Sequence, residues 1–399
     1  MDGLHLVVVL LSVFSLGYGR NVANLEWDST KGYLMYCPCS GRFGNQLEQF
    51  LGSLYFASKM GRVLVIPPFI NYPSALEASP KNTYDQIDKI FELDEIKKYY
   101  PDVITMEDFM EDLAPLYWSP SDRVAYCASG LANVNEGKCT RGGNPFEMFW
   151  KDNYIEFARS EVWENLHFNI EHSGVAEEWK ERFPVSSHPV IAFMGAPAVS
   201  PPKQAVEGLQ HYLKFKSIVT EAADEFIANK LVKPFWGLHL RNGADWSRTC
   251  DLLSSGDFPH LLSSRQCTSH HGDAVTKEMC LQSEEQVVTD VRHQLELAEQ
   301  EGREPPKSLF VATDHVAMEE DLEAAFPYLK IVTWSPDMDQ MDLYVLTQAD
   351  DVILNCVSAF SAFVKRDRDV NDKLVAFFGY LGPEKILPKV TKSPPHEEL

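Results

Sequence analysis

At 399 residues the chain has room for two domains or one large one, at the usual ~100–200 residues each. It is 45% hydrophobic and 24% charged, an ordinary globular composition that excludes a disordered or fibrous chain. A formal charge of −22 argues against nucleic acid or an anionic membrane as partner of the bulk surface, so a phosphate-bearing ligand would need a local basic focus such as Arg42 and Arg241.

The chain opens with an apolar stretch, Leu4–Leu16, too short to span a bilayer comfortably, followed by the small-residue site Gly17-Tyr18-Gly19 before Arg20. Residues 1–19 therefore read as a cleaved signal peptide. Asp2 and the lack of Lys or Arg before the apolar stretch depart from that pattern and keep an uncleaved anchor as a second reading. No other stretch reaches membrane length, so no membrane span is expected in the mature chain. The last four residues, His396-Glu397-Glu398-Leu399, resemble an endoplasmic reticulum retrieval signal, which implies a retrieval receptor as partner and a lumenal location. Eight cysteines (Cys37, Cys39, Cys127, Cys139, Cys250, Cys267, Cys280 and Cys356) suit that oxidising compartment and read as disulfides. Spacing suggests Cys127–Cys139 as a local clamp and leaves the other pairings open. Zinc is the competing reading, but no CxxC pair occurs. The sequence also lacks any Asn-x-Ser/Thr sequon.

A short strand from Tyr33 to Cys37 runs into a loop containing Gly41, Arg42, Phe43, Gly44, Asn45 and Gln46. Leu47, Phe50, Leu51 and Leu54 then recur at helical spacing, and Val63–Ile66 is a second strand. Such a βαβ unit presents backbone N–H groups to an anion at a helix N-terminus, although two glycines could equally make a plain tight turn. Residues 70–180 are loop-rich and aromatic, and their strands cannot be ordered from sequence. Val190–Phe193 is a further strand, and the glycine- and proline-bearing stretch after it is taken as the joint between a first domain, 28–190, and a second, 191–366. Residues 367–399 are expected to form a C-terminal segment.

In the second half a helix around Ile218–Leu231 leads into the apolar run Phe235–Leu240. His239 and Arg241 lie two apart at the carboxyl end of that strand and so face one side. Arginine there is a natural fork for a phosphate or carboxylate, the alternative being a surface arginine flanking an ordinary strand. Ser283-Glu-Glu-Gln286 reads as a capping box before a helix with Val287, Val291, Leu295 and Ala298 on one face. Strands at Leu309–Ala312, Ile331–Thr333 and Val352–Leu354 alternate with helices ending at Phe326, spanning 339–349, and running Ala359–Arg366 behind Ser358. The alternation predicts an α/β protein with two Rossmann-like domains facing a central cleft, the GT-B layout.

Tyr36-Cys-Pro-Cys39, Gly41-Arg-Phe-Gly-Asn-Gln46, Gly237-Leu-His-Leu-Arg241 with Asp245-Trp246, Val311-Ala-Thr-Asp314, Asp342-Leu-Tyr344 and Asn355-Cys-Val-Ser-Ala-Phe360 with Phe363-Val-Lys-Arg366 resemble, in order, the GDP-fucose protein O-fucosyltransferases that act on EGF-like repeats. The resemblance covers nearly the whole mature chain. It implies transfer of fucose from GDP-fucose to a Ser or Thr of a folded EGF-like repeat, as on Notch-type proteins, with inversion and without a metal cofactor. It also implies that Arg42, Phe43, Gly44, Asn45, His239, Leu240, Arg241, Asp342, Ser358, Ala359 and Phe360 hold the donor. Arg241 would meet the β-phosphate, Asp342 the guanine or ribose side, and Asn45 the reacting hydroxyl; Arg241 and Asn45 are the catalytic candidates. Members of the family commonly read Ser-Ser-Phe where this chain has Ser358-Ala359-Phe360, so only the backbone could serve at 359.

An inverting transferase wants a base on the acceptor hydroxyl. Asp245 is the nearest candidate in sequence and is read as a positioning residue, the leaving phosphate being the other proton acceptor. Asp337-Met338-Asp339 copies a metal-binding DxD triplet, and His270-His271 could also ligate, but a loop setting and an acidic chain explain both more simply. A glycosidase with two opposed carboxylates, an O-fucosyltransferase for another small disulfide-rich repeat, and a non-catalytic folding helper for EGF-repeat proteins are the alternatives.

Overall fold

The computed structural model describes residues 26–72, 81–129, 139, 146–199, 202, 204–255, 262–268 and 274–379. The expected signal peptide, the retrieval-like tail and His270-His271 lie outside them.

Short, largely apolar runs bounded by turns form the central strands, Tyr33–Tyr36, Val190–Phe193 and Phe235–Leu240, which are buried throughout because helices cover both faces of a parallel sheet. The strands are β1 (Tyr33–Tyr36), β2 (Val63–Ile66), β3 (Phe69–Asn71), β4 (Thr83–Asp85), β5 (Val103–Thr105), β6 (Val124–Ala128), β7 (Arg159–Trp163), β8 (Val190–Phe193), β9 (Phe235–Leu240), β10 (Ser308–Thr313), β11 (Lys330–Thr333), β12 (Asp351–Leu354) and β13 (Ala376–Phe377). One parallel sheet has the order β5-β2-β1-β8-β6-β7 and a second has β11-β10-β9-β12-β13, with β3 and β4 pairing as a separate antiparallel ribbon. These two parallel sheets are the GT-B arrangement expected from the sequence.

The domain boundaries need correction. β8 pairs with β1 at all four of its positions, from Tyr33↔Val190 to Tyr36↔Phe193, so it belongs to the first sheet. The second unit therefore starts beyond Phe193, not at 191. It also runs past 366, because the last helix continues to Val370 and β13 adds an edge strand beside β12.

Six helices position the cleft: α1 (Phe43–Met60), α2 (Ser217–Lys230), α3 (Ala244–Asp251), α4 (Glu284–Gln300), α5 (Asp339–Gln348) and α6 (Ala359–Val370). At the start of α4 the Ser283 hydroxyl accepts from the Gln286 N–H, as a cap should. The Gln286 side chain instead reaches forward and donates to Asp290, so the reciprocal half of the expected capping box is not made.

The two units interlock. Phe91 and Phe215 bridge as antiparallel neighbours, their rings 5.0 Å apart, and Phe215 packs on Phe363 of α6 at 5.4 Å. Beside them Glu48 of α1 accepts from Arg366 of α6 at 3.1 Å, both side chains about 95% buried. Ser263 Oγ donates to the same carboxylate, and Arg366 Nε donates to Gln210. Burial raises the Glu48 pKa and the Arg366 charge opposes that rise. Four disulfides join Cys37–Cys39, Cys127–Cys139, Cys250–Cys280 and Cys267–Cys356. The second is the clamp that spacing suggested.

Candidate functional site

In an open parallel sheet ligands bind beyond the carboxyl ends of the strands, where the order reverses direction. In the first sheet that point lies between β1 and β8, and in the second between β9 and β12. The loops leaving all four strands line one cavity of about 1080 Å³.

From the first unit come Ser40 to Asn45 after β1 and Met194 to Ala196 after β8. Gln46 pins the first of these loops: its Nε2 donates to the carbonyls of Gly41 and Ile70, and its Oε1 accepts from the Ile70 N–H. Gln49 Nε2 donates to the Ser40 carbonyl. The start of α1, with its unpaired first-turn amides, is thereby fixed against the cavity.

From the second unit come Arg241 after β9 and Ser358, Ala359 and Phe360 after β12, the first turn of α6. Asn355 organises that turn. Its Oδ1 accepts from the N–H groups of Val357 and Ser358, and its Nδ2 donates to the Cys280 carbonyl. Ser358 caps α6, its hydroxyl accepting from the Phe360 N–H at 3.2 Å. The Ser358 hydroxyl oxygen and the Phe360 amide are thus already paired, whereas the Ala359 amide sits at the first helical position, where no intrahelical partner exists. The Cys267–Cys356 disulfide and the hydrogen bonds from Gln266 Nε2 to the Cys356 and Ser358 carbonyls hold the turn from behind.

The two helix starts meet. A Cβ added to Gly44 would lie 2.6 Å from the Phe360 nitrogen, so only glycine permits this approach of α1 to α6. Two partial positive charges, one from each unit, therefore converge on one wall of the cavity.

Arg241 is more constrained than a free fork. Its Nη2 donates to Asp245 at 2.9 Å, its Nη1 pairs with Asp314, and its guanidinium lies 4.7 Å over the Trp246 ring. Burial lowers its pKa, with Asp245 opposing. Asp245 also lies 3.9 Å from Arg42 Nε, so one carboxylate spans the cleft between arginines of different units. Asp314 was not among the sequence candidates. The signal was present, because Leu240 pairs with Thr313 in register and the following residues must be neighbours. Asp314 Oδ1 also accepts from the N–H groups of Asn242 and Gly243.

His239 is buried beneath this cluster. Its Nδ1 is 2.6 Å from Ser361 Oγ, and its ring packs on Phe360 at 4.8 Å. Burial, with a contribution from Arg241, pushes its pKa down to about 3, so it is neutral. Leu240 is buried in the strand rather than on the cavity wall. Asp342, in the first turn of α5, lines the cavity with its Oδ1 unpartnered. Burial, helped by Asp339, pushes its pKa up to about 8. Of the DxD triplet only Asp339 reaches the cavity. Among the described residues no group of three or more His, Cys, Asp or Glu side chains is placed to hold a metal, and no helix is long and apolar enough to cross a membrane. Phe146, Met194, Ala196, Ala198 and Val199 add an apolar stretch to the wall.

The family model described as GDP-fucose protein O-fucosyltransferase matches residues 33–371. The chain is similar to GDP-fucose protein O-fucosyltransferase 1 of Caenorhabditis elegans, 36% identical over 387 residues that take in 94% of this chain and 96% of that protein. It resembles the solved apo form of POFUT1 with a TM-score of 0.79 at 36% identity, covering 89% of this chain and 100% of that one. The similarity to POFUT1 in complex with GDP-fucose gives a TM-score of 0.78 at 36% identity, over 88% and 98% of the two chains.

Proposed function

The chain belongs to the GDP-fucose protein O-fucosyltransferase family, and from that membership we propose that it transfers fucose, with inversion, to Ser or Thr of folded EGF-like repeats in the endoplasmic reticulum lumen. The observation that carries the reading is the convergence of Arg241, Arg42 and two helix N-termini on a single cavity. A nucleoside diphosphate leaving group is what such a wall suits.

In this reading the acceptor oxygen attacks the anomeric carbon from the face opposite the nucleotide, and the bond from that carbon to the β-phosphate oxygen breaks. Negative charge grows on the phosphate as it leaves. Arg241 meets it, preorganised by Asp245, Asp314 and Trp246, so the cation stabilises the transition state more than the ground state. The Ala359 amide and the start of α1 add to that field. Asn45 orients the acceptor hydroxyl, whose proton passes to the departing phosphate, with Asp245 placing the arginines. His239 and Asp342 hold the nucleoside end, the unpartnered carboxylate oxygen of Asp342 being suited to the paired N–H donors of guanine.

The test is transfer from GDP-fucose to a folded EGF-like repeat, beside the same repeat reduced and unfolded, with and without EDTA. Turnover on the folded form that persists in EDTA is expected. No turnover on any EGF-like repeat would overturn the acceptor assignment, and activity lost in EDTA and restored by Mn²⁺ would overturn the metal-free mechanism. Deleting His396–Leu399 should release the protein into the medium, and unchanged retention would refute the retrieval role.

A further inference from the structure

We propose that Ser361 is a positioning residue that locks His239 in the tautomer with the proton on Nε2, so that a neutral N–H faces the nucleotide end of the cavity. The inference deepens the donor-binding reading above and rests on it.

Ser361 and His239 face each other in a dry setting, 0% and 4% exposed. Their contact, Nδ1 to Oγ, is 2.6 Å. Ser361 Oγ already accepts the N–H of Asn355 at 3.1 Å, leaving its own proton for the imidazole. A hydroxyl has one proton and two lone pairs, so accepting from Asn355 and donating to Nδ1 satisfies it well. Nδ1 is then an acceptor and carries no hydrogen. A neutral imidazole keeps its single proton on the other nitrogen, which belongs to the ring edge left for the cavity that His239 lines.

The alternative arrangement is poorer. A protonated Nδ1 would donate to an oxygen already accepting from Asn355, leaving the Ser361 proton to find another acceptor and turning a bare lone pair toward an anion. The packing supports the same state, since Phe360 covers one face of the ring at 4.8 Å and fixes its plane. A doubly protonated imidazole is opposed by burial and by Arg241.

The relay begins at Asn355, the residue that also holds the Val357 and Ser358 amides. One asparagine thus organises both the turn at the start of α6 and, through Ser361, the hydrogen-bonding polarity of His239. Ser361 does not line the cavity, so its effect passes through the ring.

The experiment is nitrogen NMR of the full chain with ¹⁵N-labelled histidine, the His239 signals being assigned by their loss in His239→Gln. In the empty protein at neutral pH, an Nδ1 without hydrogen and a protonated Nε2 are expected; a protonated Nδ1 overturns the proposal. Ser361→Ala should mix the tautomers and weaken GDP binding about threefold to tenfold, the usual effect of losing one hydrogen bond. Its kcat should fall less than its donor KM rises. Unchanged tautomer and GDP affinity in Ser361→Ala would also overturn the positioning role. Wild-type protein that binds no GDP refutes the donor reading itself, whatever the nitrogen signals show.

Discussion

Replacing Arg241 probes the charge balance of the cleft directly. The guanidinium lies between Asp245 and Asp314, over Trp246, with its side chain only 11% exposed. Together with Arg42 it sets two cations against two carboxylates, so an incoming diphosphate meets a balanced site plus two helix starts. In Arg241→Ala the carboxylates are in excess before the donor arrives. Losing one preorganised donor to a developing anion costs about 10²–10³ in kcat, or ~2.7–4 kcal/mol, and the uncovered aspartates should raise the donor KM as well. Stability should barely change, because the Asp245 and Asp314 side chains are 56% and 36% exposed and hydrate once the arginine is gone. Such partly exposed pairs contribute at most ~1 kcal/mol. Arg241→Lys should recover little, since one ammonium cannot span both carboxylates and lie flat on an indole. Adding Asp245→Asn to Arg241→Ala should lower the donor KM again without restoring kcat. Steady-state kcat and KM with GDP-fucose and a folded acceptor, beside Tm, decide the matter. A near-normal kcat in Arg241→Ala, or a collapse of Tm, would refute the assignment.

Asp342 should link donor binding to pH. Its folded pKa of about 8 lies above the 3.8 of an exposed aspartate, so the unfolded chain binds fewer protons between those values and stability falls as pH rises through that window. Asp342→Asn should raise Tm at pH 8 while weakening GDP, and wild-type affinity should climb from pH 6 to 8 with proton release in calorimetry; a flat pH response contradicts this. Removing Arg366 or Glu48 singly should cost ~3–5 kcal/mol by stranding a buried charge, whereas replacing both with apolar residues of similar volume should be far milder. A double variant whose loss by denaturant unfolding equals the sum of the two single losses would show that the pair is not coupled. Replacing Cys267 and Cys356 by serine should remove ~2–5 kcal/mol of stability and weaken GDP binding, because the turn at the start of α6 loses its anchor. Unaltered binding and Tm would place that turn's rigidity elsewhere.

Features set by neighbours in sequence could be read directly. The strand Phe235–Leu240 is apolar but for His239 and can be read from the sequence with the bounds it has in the fold, as can β8. Ser358 announces α6 because a cap and its helix are contiguous. What escaped depends on pairing across long stretches of chain. The place of β8 between β1 and β6 is a sheet-order fact, so a strand followed by glycine and proline looked like the start of a new unit. Asp314 joins Arg241 only through the β9–β10 register. The Glu48–Arg366 pair is separated by most of the chain, and neither residue's local pattern distinguishes it from a solvated helix face. Ser361 likewise reads as one more small residue in a helix until the fold brings it to His239.

The contact between Gly44 and Phe360 carries a consequence for how the molecule comes apart. Each half supplies one electropositive helix tip, and Arg42 and Asp245 face each other from opposite halves. An anion cradle built from these parts would therefore be a property of the seam and exist in neither half alone. Nucleotide should act as cement across that seam, coupling two sheets that share no strand into one melting unit. In mild denaturant the empty protein should lose GDP affinity while both sheets keep their far-UV signal, and saturating GDP should draw the two losses into a single transition.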